Sequence, residues 1–117
     1  MEILGKLTAA FGVSGRENEI NQVITDLVKD YVDEILNDGI DNVIAIKKGN
    51  GVNKKKIMIS AHKDEIGFMV MSIDSDGYIN IRPIGGIPVS LSIGNRIVFK
   101  NGTVGVLSFM KDVDNIK

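Results

Sequence analysis

The sequence predicts an α/β chain. Residues 1–65 read as the helices and strands of one α/β domain, and residues 66–117 as part of a β-rich, barrel-like domain. Three observations predict it. Apolar side chains recur at helical spacing through the first 30 residues. The spacing then shortens to that of strands. After Glu65, strand-like runs follow one another across turn residues, with no further helical stripe. Helices succeeded by strands in this order suggest a helix layer laid on a sheet.

The first helix is expected from Met1 to Phe11, where Ile3, Leu4, Leu7 and Phe11 share a face, and it breaks at Gly12. Ser14 and Glu17 in "SGRE" have the spacing of a capping box, so Ser14 is expected to cap the second helix. That helix carries Ile20, Val23, Ile24, Leu27, Val28 and Tyr31 on one stripe, expected to pack on a sheet as core. "DEILND" and "NVIAIKKG" are short and rich in β-branched residues, and read as strands. "GNGVNKKK" is a charged turn; it lacks the strand–turn–helix context of a phosphate loop. "KIMISA" is apolar on both faces, as expected of a central strand buried between layers.

The β-rich part begins with "IGFMVMSI", the turn "DSDG" and "YINIRPI", a predicted hairpin. Asp74 and Asp76 resemble a fragment of a calcium loop, but the distal Glu is missing and turn chemistry is the expectation. "GNRIVF", "KNG" and "TVGVLSF" predict a second hairpin, with Asn101-Gly102 at its turn.

Composition narrows the function. At 117 residues with 44% hydrophobic content, the chain can bury an aliphatic core; it has no Trp and only 5% aromatic residues. A net charge of -1 argues against nucleic acid, and Lys54, Lys55 and Lys56 are too few to make a binding face. The chain has no Cys, which excludes disulfides and thiolate metal ligands. No signal peptide or transit segment is recognisable, and no apolar run approaches the roughly 20 residues that span a bilayer. The expectation is a cytoplasmic protein with no membrane partner.

The only histidine, His62, follows "KIMISA". At the carboxyl end of a strand it would stand where ligand sites of open α/β sheets lie. One ring nitrogen could bind a metal while Asp64, two residues on, accepts a hydrogen bond from the other and fixes the tautomer. Taken alone, His-x-Asp equally describes a surface or capping histidine.

Three segments sharpen this reading. "LTAAFGVSGRENEI", "AHKDEIGFMV" and "PIGG" at 83–86 occur in this order. Together they resemble the glutamyl aminopeptidase and endoglucanase-like metallopeptidase family, which includes the tetrahedral aminopeptidases. The resemblance runs from about Leu7 to about Leu107. It implies a cytoplasmic, co-catalytic two-metal aminopeptidase using zinc or cobalt, acting on peptides. It also implies an α/β catalytic domain interrupted by a β-rich domain for dimerisation and assembly. By resemblance His62 is the first metal ligand, and Asp64 is the active-site aspartate that orients it.

The rest of such a site is not matched. The family draws its bridging Asp, general-base Glu, further acidic ligand and second His from sequence beyond these residues, and Asp112 and Asp114 lie in no family motif. A single imidazole is not expected to hold zinc tightly, since catalytic zinc takes three protein ligands. The isolated chain is therefore expected to be a poor or inactive peptidase, awaiting a partner chain or a homo-oligomer. Lys63 stands where the family usually has an apolar residue, and a cation turned toward the site would oppose metal binding. The alternatives are a non-catalytic truncated paralogue acting as an assembly module, and a small β-rich domain in which His62 is structural.

Overall fold

The structure, a computed structural model, describes residues 2–52 and 55–109. Lys54, Asp112 and Asp114, considered above, lie outside them. The described residues are mixed helix and strand, as predicted, and the chain divides into two compact units between Gly67 and Phe68.

The first unit opens with α1, Glu2–Ala9, and α2, Asn18–Val28. Among its described residues Ile20 of α2 is the most buried, 3% exposed, and Ala10 is buried too. Val23, Ile24, Leu27 and Val28 are half-buried on the same stripe. Tyr31 departs from it: α2 ends at Val28, the Tyr31 amide turns back to the Val28 carbonyl, and the ring is 75% exposed. The stripe therefore stops where the helical backbone does.

Two strands follow, β1 (Glu34–Asn37) and β2 (Val43–Ile46), paired antiparallel with Glu34 opposite Ile46 and Asn37 opposite Val43. Asp38 builds their connection. Its Oδ1 accepts the Ile40 and Asn42 amides, at 3.0 and 2.9 Å, and its Oδ2 accepts the Asn42 side-chain amide at 2.7 Å. These bonds hold its carboxyl below the ordinary value, the Asn42 side chain contributing most.

"KIMISA" is not a buried strand. Residues 55–64 hold no regular secondary structure, and Ile57, Met58 and Ile59 are 86%, 89% and 93% exposed. A strand exists only where neighbours take up its N–H and C=O groups. In this unit β1 and β2 satisfy each other, and no described strand lies along residues 56–61. The apolar run is there, but the strand partners that would bury it are absent among the described residues.

The second unit contains β3 (Gly67–Ile73, beginning at the division) and β4 (Ile79–Ile84), paired through the 74–78 turn. Asp74 Oδ1 accepts the Asp76 and Tyr78 amides, at 3.0 and 2.8 Å, and Gly77 adopts φ +88°. This is turn chemistry, as expected. A helical turn, α3 (Val89–Ser92), interrupts a region expected to be all-β. Pro88 precedes it with extended backbone, and the Leu91 amide bonds the Pro88 carbonyl, which closes the turn. β5 (Arg96–Val98) and β6 (Val104–Val106) pair antiparallel with Ile97 opposite Gly105. Gly102 supplies the positive φ, +84°, that their turn needs. Leu107 is buried in this unit, beside a cavity of about 140 Å³ lined by Phe68, Ile81, Val89 and Ile93.

Candidate functional site

His62 and Asp64 lie side by side, as the sequence suggested. His62 Nδ1 stands 3.1 Å from Asp64 Oδ1 and 3.1 Å from the Asp64 backbone oxygen. A peptide carbonyl only accepts hydrogen bonds, so Nδ1 must carry the proton. In the neutral imidazole Nε2 is then the nitrogen that keeps its lone pair, on a side chain 86% exposed. The imidazole is thus held in the tautomer a metal ligand requires.

Asp64 is held from its other side. The Ser14 hydroxyl donates to Asp64 Oδ2. This bond, followed by the one from His62, lowers the Asp64 carboxyl below its ordinary value and keeps it ionised. The capping expectation for Ser14 is therefore wrong. α2 begins at Asn18, the capping position falls on Glu17, and no side chain caps it. Glu17 Oε1 instead accepts the Gly15 amide at 2.8 Å. Gly15, at φ +81°, turns the chain before the helix starts, and the Arg16 amide closes that turn on the Val13 carbonyl at 2.8 Å. Ser14 is left outside the helix, free to face Asp64.

The two stretches that carry Ser14 and Asp64 are fastened together along their length. The Glu65 amide donates to the Gly12 carbonyl at 2.8 Å, and Glu65 Oε1 accepts the Gly12 amide at 3.3 Å. Val13 and Glu65 form a parallel bridge. Two glycines permit this approach. A side chain on Gly12 would meet Ile20 Cγ2 at 3.0 Å, and a methyl on Gly67 would fall inside the Val13 isopropyl group. "FGVSG" and "HKDEIG" are thus opposite halves of one junction.

Lys63 does not serve this pair. Its ammonium donates to the Asp41 carbonyl at 2.8 Å, and the Asn21 amide reaches the same oxygen at 3.2 Å. Asp41 adopts φ +63°, a left-handed conformation that Asp tolerates.

The residues present fit one metal-ligand position and its orienting carboxylate. Among the described residues no group of three His, Cys, Asp or Glu side chains gathers to complete a site. Ser14, Gly12 and Glu65 were missed as site residues. The signal available was that all three lie inside the two recognisable segments, Gly12 and Ser14 in the first and Glu65 in the second.

Comparison with known proteins gives the class. The chain is similar to a protein of Acetivibrio thermocellus, 44% identical over 99% of this chain and 34% of that one. It is also similar to the lysyl aminopeptidase of Pyrococcus furiosus, 41% identical over 91% of this chain and 32% of the relative. Two solved structures share its fold. One is named an endoglucanase, from Thermotoga maritima (TM-score 0.81, 36% identity, 88% of this chain and 32% of the other). The other is named PhTET1-12s, a dodecamer in the asymmetric unit (TM-score 0.73, 34% identity, 90% and 32%). A family model described as M42 glutamyl aminopeptidase matches residues 41–112, and the chain belongs to that family. It spans about a third of the length of the curated relatives it matches.

Proposed function

We propose that this chain supplies the N-terminal part of a metal-dependent aminopeptidase that removes N-terminal residues from peptides. One observation carries the reading: Nδ1 of His62 is committed to two acceptors on Asp64, which leaves Nε2 exposed as a ligand. His62 would hold a divalent ion, zinc or cobalt, and Asp64 would orient it. When bound, such an ion supplies Lewis-acid chemistry toward a peptide carbonyl. Asp64, kept anionic by Ser14, strengthens the imidazole as a donor and blocks its rotation. Lys63, tied to the Asp41 carbonyl, leaves the pair's charge balance to Asp64.

Among the described residues no three His, Cys, Asp or Glu side chains gather, so in this reading the other ligands and the general base come from another stretch of polypeptide. In this reading residues 1–65 are part of the catalytic domain, residues 66–117 are part of a β-rich dimerisation and assembly domain, and the location is cytoplasmic. No helix among the described residues is long and apolar enough to cross a membrane. The second reading is a non-catalytic module that self-associates or joins a full-length relative. The exposure of Ile57, Met58 and Ile59 favours association of either kind.

The test is reconstitution. The chain is co-expressed with the C-terminal two thirds of the Pyrococcus furiosus relative, and the co-purified complex is assayed for release of N-terminal residues with zinc or cobalt. The expected result is activity that His62→Ala lowers by at least about 100-fold. Activity indifferent to His62→Ala would reject the ligand role. A complex that forms but stays inactive would favour the assembly module. Calorimetric zinc titration of the chain alone is expected to show no stoichiometric submicromolar site.

A further inference from the structure

We propose that Ser14 is a positioning residue of this site: its hydroxyl aims the Asp64 carboxylate and thereby reinforces the Nδ1–H bond that, together with the Asp64 backbone carbonyl, keeps Nε2 of His62 facing outward. The geometry is a three-member relay. Ser14 Oγ donates to Asp64 Oδ2, and Asp64 Oδ1 accepts the His62 Nδ1–H at 3.1 Å. A carboxylate turns easily about its terminal torsion, whose wells are broad and roughly two-fold. Asp64 is 39% exposed, so packing alone does not fix that torsion. A donor on the oxygen opposite the histidine does.

Ser14 is itself immobilised. It sits between Val13, bridged to Glu65, and Gly15, whose φ of +81° makes the turn before α2. The Gly12–Glu65 bonds fix the spacing between the two stretches of the junction. No helix competes for the hydroxyl, because the capping position is Glu17. The serine thus spends its one donor on the carboxylate. The wider consequence, that Ser14 tunes metal binding at Nε2, rests on the metal-ligand reading above; the tautomer assignment does not.

The chain's single histidine makes the test direct, because its imidazole nitrogens give one pair of signals. Nitrogen-15 NMR is recorded at about pH 8.5, where imidazole is neutral. The chain is expected to show Nδ1–H as the dominant tautomer. Ser14→Ala is expected to move the population several-fold toward Nε2–H, with amide signals away from residues 12–15 and 62–67 unchanged. Ser14→Thr, which keeps the hydroxyl, is expected to restore the original balance. A Ser14→Ala spectrum identical to that of the unsubstituted chain would overturn the proposal. So would a Ser14 hydroxyl proton in the unsubstituted chain that exchanges as freely as one in solvent, a measurement that needs no variant to fold. Cobalt titration of the same samples separates the two readings. Ser14→Ala is expected to raise the half-saturating cobalt concentration about tenfold. If cobalt never perturbs Nε2 in the unsubstituted chain, metal binding by this chain fails as a reading while the tautomer result stands.

Discussion

Gly67 shows how closely the site depends on a single missing atom. A methyl there would fall inside the Val13 side chain, and Val13 is bridged to Glu65, so neither partner can withdraw freely. Overpacking of this kind costs about 1–3 kcal/mol. Gly67→Ala is expected to lower the urea midpoint accordingly and to shift the His62 imidazole signals, because the strain falls on the junction that aligns Asp64. Gly15→Ala offers the contrast: nothing lies within 4 Å of the added methyl, so only backbone strain opposes it. His62 and Asp64 were legible in the sequence because their spacing and their neighbours belong to one recognisable motif. Ser14 was misread because hydroxyl and carboxylate side chains serve both as helix caps and as local clamps. Only the position of the first helical residue, Asn18, separates the two uses, and that boundary is set by the Gly15 turn.

Among the elements, the hairpins were the most legible. Period-two alternation and turn residues such as Asn101-Gly102 specify their partners locally, within a few residues of chain. The β1–β2 connection adds a pH dependence. The Asp38 carboxyl lies below its ordinary value of 3.8 in the folded chain, chiefly because the Asn42 side chain donates to it. A carboxyl lowered by folding stabilises the folded state above its unfolded pKa, and that contribution is lost as pH falls through the folded value. Acidification below about pH 4 is expected to loosen residues 38–42 first. Amide exchange measured against pH checks this, and Asp38→Ala is expected to abolish the pH dependence of that segment. "KIMISA" was legible as an apolar extended run but not as an unpaired one, because pairing belongs to the neighbours and not to the strand. The short α3 turn was illegible because its four residues, Val89–Ser92, carry too little helical pattern to be told from the strand-like residues around them.

For the whole molecule, the exposed apolar surface of residues 57–59 is the dominant fact. Three large side chains in sequence, each more than four-fifths exposed, and with no described strand beside them, form a template for pairing. The chain alone is expected to self-associate at micromolar concentration. Sedimentation velocity checks this, and Ile57→Lys with Ile59→Lys is expected to return the monomer. A monomeric unsubstituted chain would show that this surface is covered from within.

The Gly12–Glu65 junction also orders events in time. Its two hydrogen bonds close a span of 53 residues, whereas β1 and β2 meet across a turn of only a few. Local contacts form before distant ones reward the entropy of closure. The hairpin is therefore expected to form before Ser14 reaches the His62–Asp64 pair, whose own contact is local. Because closure entropy grows slowly with length, roughly 0.6 kcal/mol for each doubling, the segment between β2 and His62 can lengthen at little thermodynamic expense. The junction constrains where the ends of that segment meet and leaves its interior open to variation.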